Sequence, residues 1–241
     1  MSGQDYAGYL RLERLLSLQE PLSPAGEDTA TGSAELFFIV AHQTSELWLT
    51  QALHDLDAAT EALVCADAGA APDDIEQALE HVDRAVAVMG LLGDTLRVLE
   101  RLPVRRFAAF RPRLGTASGA QSRNFHDLEV RLGTADAGEE SPLYRAFLKA
   151  LAARGTTVEE VCRLGASGAG APHRLAEALL DLGYRFWQWK VAHLVLVDRT
   201  LGGLSGTGGT TGAGYLLTRA RMPFPELRSA RERLHGPDSG G

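Results

Sequence analysis

The sequence predicts an all-α protein, and three observations support this class. Apolar residues recur three and four positions apart, the spacing of one helix face, through most of the 241 residues. Alternation of apolar and polar residues, which is typical of a strand with one buried face, does not extend over any useful length. Apolar residues make up 45% of the chain and charged residues 23%, as in a folded globular protein. We therefore expect a single helical domain over residues 1–241.

Composition narrows the choice of partners and compartment. A net charge of −7 argues against nucleic acid as a partner, because a phosphate-binding surface needs an excess of basic residues. The uncharged apolar runs are too short to span a membrane, and the residues after Met1 lack the pattern of an export signal. Cys65 and Cys162 are too few for a disulfide framework. The expected location is the cytoplasm.

Capping residues and prolines set the predicted helix boundaries. Ser33 is a suitable N-cap for a long helix over residues 34–58, which follows a short N-terminal helix. Asp73 and Asp74 favour the start of a second long helix, which continues to Leu99 before Pro103 interrupts the pattern. Further helices are predicted over residues 104–114, 142–154, 173–182 and 184–201.

Glycine and proline mark the predicted loops, which are residues 21–32, 165–172 and 202–214, with a frayed tail over residues 235–241. Segment 165–172 is rich in Gly, Ala and Ser and is expected to be flexible. Segment 202–214 contains seven glycines in thirteen residues, a composition typical of a disordered linker. Because it follows a strongly apolar helix, a loop whose backbone N–H groups approach a ligand is the competing interpretation.

Two of the seven histidines lie within apolar helical segments. These are His42, in FFIVAHQ, and His193, in VAHLVLV. A neutral imidazole in such a place needs a partner for each ring nitrogen. One interpretation is a core histidine bonded to a carbonyl oxygen. The alternative is a histidine that ligates a metal or haem iron, for which an apolar helix face is well suited.

Aromatic and polar residues recur about one helical turn apart at four places. Such pairs lie on one helix face and would give a small-molecule pocket flat apolar walls with a few polar groups. The alternative is ordinary core packing. The four pairs are Tyr6 with Tyr9, Phe38 with His42, Phe107 with Arg111, and Trp189 with His193.

Charged residues near these pairs have two interpretations. Arg111 lies among aromatic residues and could bind a carboxylate with both guanidinium arms, or could pair with an acidic residue at the surface. Acidic residues next to two other histidines could bind a cation, but their flanking residues indicate solvated helix faces. These acidic residues are Asp55 and Asp57 near His54, and Asp127 and Glu129 near His126.

Four segments, in this order, resemble motifs of the haem-dependent tryptophan 2,3-dioxygenase family. They are YAGYL at residues 6–10, HQTSELW at 42–48, FAAFR with ASGAQS at 107–122, and WKVAH with GTGGTTG at 189–212. The resemblance covers most of residues 6–132 and 184–217. It implies an all-α helical bundle of the tryptophan 2,3-dioxygenase type that assembles as an intertwined homotetramer, a dimer of dimers. It also implies that the glycine run is a ligand-binding loop.

The resemblance implies roles for individual residues. Haem b would be the cofactor, with His193 as the axial ligand of its iron and O2 as co-substrate on the opposite face. His42 would be catalytic and would accept a hydrogen bond from the substrate indole. Substrate-binding residues would be Phe38, Phe107, Arg111, Thr207, Tyr6 and Tyr9, the two tyrosines coming from a neighbouring subunit. Ser118, Gly119 and Trp189 would contact the haem.

The implied reaction inserts both atoms of O2 across the indole C2–C3 bond of L-tryptophan or a close analogue. The product would be N-formylkynurenine, as in tryptophan catabolism through the kynurenine pathway. One alternative is a haem monooxygenase of the same fold that converts tryptophan or a β-substituted analogue to a 2-oxindole in secondary metabolism. Another is a non-catalytic protein that binds haem or indole.

The chain also departs from the pattern of the family. It is shorter, and the missing part falls mostly within residues 133–185, which in the family carry helices that close over the substrate. Ser45 and Ala120 stand where aromatic residues are common, and the RNFH sequence at 123–126 differs from the customary Q-F-R ending. These changes loosen the expected pocket, so they bear on which substrate is used and how many oxygen atoms are inserted.

Overall fold

The described part of the chain is all-α. The computed structural model describes residues 5–24, 26, 28–67, 73–135, 139–202 and 220–235. The α-helices are α1 (Tyr6–Leu10), α2 (Leu12–Leu15), α3 (Thr29–Asp67), α4 (Asp73–Leu99), α5 (Val104–Phe110), α6 (Arg123–Arg131), α7 (Pro142–Ala153), α8 (Val158–Ala169), α9 (Ala171–Leu201) and α10 (Pro225–Glu232). Short 3-10 turns cover Arg111–Leu114, Gly119–Gln121 and Arg233–His235. No strand occurs in these ranges, which confirms the predicted fold class.

Three long helices form the body of the molecule. Helix α4 packs along both α3 and α9, and α7 packs on α3. Helices α4 and α9 run parallel, because Glu76 pairs with Arg174 near their starts and Glu100 pairs with Arg199 near their ends. The core between the helices is made of apolar side chains, mostly leucine and alanine, and includes Leu56, Met89 and Phe186. Because α4 packs on both α3 and α9, it fixes the position of these two helices relative to each other.

Several helices begin where side chains replace missing backbone partners. The hydroxyl oxygen of Ser141 accepts from the backbone N–H of Tyr144 at 3.1 Å and starts α7 just before Pro142. Thr157 accepts from the N–H of Glu160 at 3.2 Å and starts α8. Helix α9 ends at its C-cap Gly202, which adopts φ 56°, a conformation that glycine takes without a steric penalty.

The predicted boundaries need four corrections. Helix α3 begins at Thr29 and continues to Asp67, so residues 29–32 are helical rather than loop. Segment 165–172 was predicted as a flexible loop, and that prediction is wrong: it carries the end of α8 and the start of α9. A kink at Gly165 (φ 65°) and the break at Gly170 (φ 58°) account for two of its three glycines.

The other two corrections concern a predicted helix break that is absent and helices that were not predicted. The segments 173–182 and 184–201 form one helix, α9, because Gly183 is buried against Pro223 and Phe224 instead of ending the helix. Helices α6, α8 and α10 were not predicted from the sequence. Most of the glycine run (203–214) and the tail residues 236–241 lie outside the described residues, so the predictions for them stay predictions.

Candidate active site

His42 lies on α3, one turn after Phe38, and its ring is held by the backbone. Its Nδ1 lies 2.7 Å from the carbonyl oxygen of Phe38. A carbonyl oxygen can only accept a hydrogen bond, so Nδ1 carries the proton in the neutral ring. Nε2 is then left as the hydrogen-bond acceptor on the other side of the imidazole. The local sequence alone produces this arrangement, because residues four apart share a helix face.

The surroundings of His42 keep the ring neutral near pH 7. Burial among protein atoms lowers the pKa of His42 below its ordinary 6.5, and this outweighs the opposing effects of the Phe38 carbonyl and the Glu46 carboxylate. The residue still exposes surface in the single chain, as a side chain facing an open cleft would. His42 can therefore act as a neutral acceptor.

Aromatic rings form one wall beside His42. The Phe38 ring lies 4.0 Å from the His42 ring, and Phe107 of α5 lies 5.9 Å from Phe38, both measured between centroids. Phe110 packs edge-on against Phe107 at 5.3 Å and contacts Phe38 at 5.5 Å. Phe110 is fully buried and anchors the other two rings. Phe38 and Phe107, which are partly exposed and tilted by 38° to each other, present apolar ring surface to a ligand.

An open cleft of about 350 Å³ adjoins this wall. It is lined by Phe107 and Arg111 on one side and by Thr200 and Leu201, at the end of α9, on the other. Its volume falls within the usual range for small-molecule sites. Arg111 is half-buried at the edge of the cleft, where its guanidinium can meet an anionic group of a ligand whose apolar part lies on the aromatic wall.

His193 lies on α9 and is stacked on the side chain one turn earlier. The rings of Trp189 and His193 are nearly parallel, at 8°, with their centroids 5.1 Å apart. Burial lowers the pKa of His193 to about 4, and the charge of Lys190, together with that of His42 when its ring is protonated, acts in the same direction. The ring is therefore neutral at pH 7, with a lone pair available for a metal. The effect of His42 on His193 also indicates that the two imidazoles lie in the same region of the molecule.

Comparison with known proteins identifies the family. A family model described as tryptophan 2,3-dioxygenase matches residues 1–149 and 145–234. The tryptophan 2,3-dioxygenase of Caulobacter vibrioides is 34% identical, over 95% of this chain and 98% of its own length. Those of Kineococcus radiotolerans and Pseudomonas aeruginosa are 32% identical over 95% of this chain, and over 91% and 89% of their own lengths. This chain belongs to the tryptophan 2,3-dioxygenase family.

Membership of the tryptophan 2,3-dioxygenase family makes the chain an enzyme of that type and confirms the resemblance seen in the sequence. The alignment to the Caulobacter relative extends over 271 positions, more than the chain contains, so part of that relative has no counterpart here. Among the described residues, no helix combines the length and apolar character needed to cross a membrane. The same ranges contain no group of three or more His, Cys, Asp and Glu side chains that could hold a metal ion.

Not all the residues singled out from the sequence of this family member come together in one chain. Tyr6 and Tyr9 lie on α1, which buries no residue, and they are 75% and 71% exposed. Ser118 is the N-cap of the 3-10 turn Gly119–Gln121, and Gly119 is its first residue. Thr207 lies outside the described residues. The predicted roles of these residues stay predictions.

The N-terminal segment of this dioxygenase-family chain is tied to α3 at two levels. Gln43, next to His42, accepts from Gln19 Nε2 at 2.7 Å and donates to the Leu18 carbonyl at 3.0 Å. Further back on α3, the buried carboxylate of Glu35 accepts the backbone N–H groups of Leu22 and Ser23 at 2.9 and 2.8 Å. These bonds set the point from which the chain carrying Tyr6 and Tyr9 leaves the body.

Two of the acidic residues interpreted as solvated are buried, and that interpretation is wrong for them. Asp55 is fully buried between α3 and α4, where it accepts from His81 at 2.9 Å and from Arg84 at 2.7 Å. Glu129 is buried on α6 and pairs with Lys190 of α9 at 2.5 Å. Neither pairing has a local sequence signal, because the partners are 26 to 61 residues apart.

Proposed function

We propose that this family member is a haem-dependent dioxygenase that inserts both atoms of O2 across the indole C2–C3 bond of L-tryptophan or a close analogue. The product is N-formylkynurenine, and the enzyme acts in the cytoplasm in tryptophan catabolism. The observation that carries the proposal is the neutral His42, with Nε2 as acceptor, beside the aromatic wall of Phe38 and Phe107. That arrangement suits a ring that is flat, apolar and carries one N–H donor.

The residues present fit a haem group. A haem needs one protein ligand in a largely apolar setting, and His193 is a neutral imidazole in such a setting, stacked on Trp189. The space beside Gly119 is open, since a Cβ built there would meet no atom within 4 Å. In the proposal His193 holds the haem iron, while Trp189, Ser118 and Gly119 contact the macrocycle. The bound haem supplies the activation of O2.

The substrate is held by groups at its two ends. Nε2 of His42 accepts the indole N–H, which sets the rotation of the ring in its plane, and Phe38 and Phe107 pack on the ring faces. Arg111 in the adjoining cleft pairs with the α-carboxylate, a charge-assisted contact that fixes the amino-acid end. We assign the contact with the ammonium group to Thr207. Together these contacts hold the reacting C2–C3 bond in one position.

Assembly completes the site in this proposal. The enzyme is a homotetramer, a dimer of dimers, and the exposed Tyr6 and Tyr9 of one subunit enter the pocket of its neighbour. Two tyrosines on a helix that buries nothing in its own chain support this assignment, because such side chains gain stability only by packing elsewhere. The bonds from Gln43 and Glu35 to the segment at residues 18–23 would direct this arm.

Product mass tests the reaction. The purified protein is loaded with haem, reduced without oxygen, mixed with L-tryptophan and then exposed to 18O2. We expect a product that carries two labelled oxygen atoms and has the mass of N-formylkynurenine. One labelled atom would overturn the proposal in favour of a monooxygenase that forms a 2-oxindole. Bound haem and tryptophan with no product would indicate a binding protein.

The histidine assignments need a separate control. His193→Ala should abolish the haem absorbance spectrum, because the variant lacks the proposed iron ligand. His54→Ala, which changes an exposed histidine on α3, should load haem like the unchanged protein. An intact haem spectrum in His193→Ala would contradict the ligand assignment.

A further inference from the structure

A buried ion pair joins α6 to α9, the helix that carries the candidate haem ligand His193. The ammonium group of Lys190 on α9 lies 2.5 Å from the carboxylate of Glu129 on α6, and the two side chains are only 7% and 8% exposed. Burying two charges costs several kcal/mol per ion, roughly offset by their attraction, so an apolar pair of similar volume would serve stability about as well. The net stability of such a pair is therefore a weak explanation for its presence.

The pair is in contact with the aromatic residues that support His193. The Lys190 ammonium lies 5.8 Å from the centroid of the Phe125 ring and 5.3 Å from that of Phe186, within the range of cation–π attraction. The same Phe125 ring lies 4.7 Å from Trp189. Trp189 in turn stacks on His193. A continuous set of contacts therefore runs from Glu129 to the candidate ligand.

The charged residue Lys190 lies close to His193 along α9. Lys190 precedes His193 by three residues, less than one turn of α9, and directly follows Trp189. Residues three apart on a helix have neighbouring side chains, so Lys190 and His193 leave α9 on adjacent parts of its surface. Glu129 lies on the neighbouring helix α6, so the lysine is the charge of the pair that lies on the same helix as His193.

We propose that Glu129 and Lys190 are positioning residues for His193: the pair holds Phe125 and Trp189 behind the imidazole and directs a positive charge toward the haem site. This inference rests on the proposed function, in which His193 ligates the haem iron. A positive charge near the iron stabilises the ferrous form relative to the ferric form, because the ferrous form carries one positive charge fewer. The pair thus favours the oxidation state that binds O2.

The reduction potential of the haem-loaded protein is the first measurement. Lys190→Met, which removes the charge and keeps the length of the side chain, should shift the ferric/ferrous potential to more negative values. Lys190→Arg should restore a potential close to that of the unchanged protein. Arg131→Met removes an exposed pair with Asp57 from the same helix α6, and it should leave the potential unchanged.

The vibration of the iron–histidine bond in the ferrous protein is the second measurement, because it reports the orientation of the ring. Its frequency should change in Lys190→Met and should stay constant in Arg131→Met. If Lys190→Met fails to fold, because Glu129 is left buried without its partner, the double variant Lys190→Met/Glu129→Leu replaces the pair by apolar side chains. This variant should fold and show a negative shift of the potential that is smaller than in Lys190→Met, because the opposing charge of Glu129 is removed as well.

The outcomes separate this inference from the proposed function. A potential and a vibration unchanged in Lys190→Met and in the double variant would overturn it and leave the pair as a structural clamp between α6 and α9. An equal shift in Arg131→Met would also overturn it, since the effect would then be general. Retention of the haem spectrum in His193→Ala would instead contradict the proposed function itself.

Discussion

Gln43 holds the N-terminal segment against the helical turn that carries His42, because its side-chain oxygen accepts a 2.7 Å hydrogen bond from Gln19 Nε2. Its amide nitrogen adds a bond to the Leu18 carbonyl. The residue next to the candidate catalytic histidine thus also sets the exit direction of the arm with Tyr6 and Tyr9. The proposed substrate contact and the proposed subunit arrangement therefore depend on two adjacent residues.

Loss of the Gln43 contacts should loosen the arm. Gln43→Leu removes two hydrogen bonds, each worth about 0.5–1.5 kcal/mol, so the segment should open more often. Trypsin should cleave at the exposed Arg11 and Arg14 faster than in the unchanged protein. Glu61→Gln, an exposed change on the same helix, is the control. Equal cleavage rates in the two variants would show that Gln43 does not restrain the arm.

Activity should fall on the acid side as His42 becomes protonated. The neutral ring accepts through Nε2, and protonation converts that nitrogen to a donor. Because burial lowers the pKa of His42, kcat/KM should stay constant through neutral pH and decrease only below the ordinary histidine value of 6.5. His42→Ala should lose activity and this acid limb, whereas His54→Ala should keep both. A limb that persists in His42→Ala must come from another group.

Arg111 should contribute mainly to binding of the amino-acid end of the substrate. Arg111→Ala removes a charge-assisted contact and should cost about 2–4 kcal/mol, seen as a large rise of KM for L-tryptophan. The matched control is Arg105→Ala, an exposed arginine on α5, the helix directly before the turn that carries Arg111, for which KM should not change. If both variants bind tryptophan normally, the carboxylate is recognised elsewhere.

Gly119 should be required by haem rather than by the fold. A methyl group at Gly119 meets no atom of this chain within 4 Å, so Gly119→Ala should unfold at the same urea concentration as the unchanged protein. Haem titrations should nevertheless show weaker loading, because the space is assigned to the macrocycle. Gly93→Ala in α4 adds the same methyl group into open space and should load haem normally. Normal haem loading in Gly119→Ala would show that the haem does not contact this turn.

Asp55 should matter for stability and Asp57 should not. Asp55→Asn weakens the bonds to His81 and Arg84 inside the body and should lower the free energy of unfolding by about 1–3 kcal/mol. Asp57→Asn affects an exposed pair with Arg131, which is worth about 0–1 kcal/mol. Urea unfolding at pH 7 measures the difference. Similar losses in both variants would contradict the importance of burial.

The same carboxylate predicts how stability depends on pH. Hydrogen bonds from Arg84, Gln51 and His81, together with the Arg84 charge, outweigh burial and lower the pKa of Asp55 below its ordinary 3.8. A lowered pKa in the folded state stabilises the protein fully above that ordinary value, and the contribution is lost as pH falls through the lowered pKa. The stability difference between the unchanged protein and Asp55→Asn should therefore shrink in acid. A difference that stays constant from pH 7 to strongly acidic pH would contradict this explanation.

The sequence predicted the candidate site better than the helix boundaries. Phe38 with His42, and Trp189 with His193, are pairs on single helices, so periodicity alone places each pair on one face. The sequence predicts two helices that are separated at Gly183, yet this residue packs against Phe224 in the interior of α9. A glycine ends a helix or allows close packing according to its neighbours in space, and these are not visible in the local sequence.

Local patterns in the sequence determined the all-α class, the family and the helices that carry His42, Arg111 and His193, because helical spacing and motif order are properties of short segments. Only the tertiary structure decided which charges are buried. The sequence indicated a solvated side chain at Glu129, but in the folded chain it pairs with Lys190 of α9, which lies 61 positions further along. Burial depends on atoms supplied by distant segments, so the environment behind His193 arises from helix packing and cannot be assigned from periodicity.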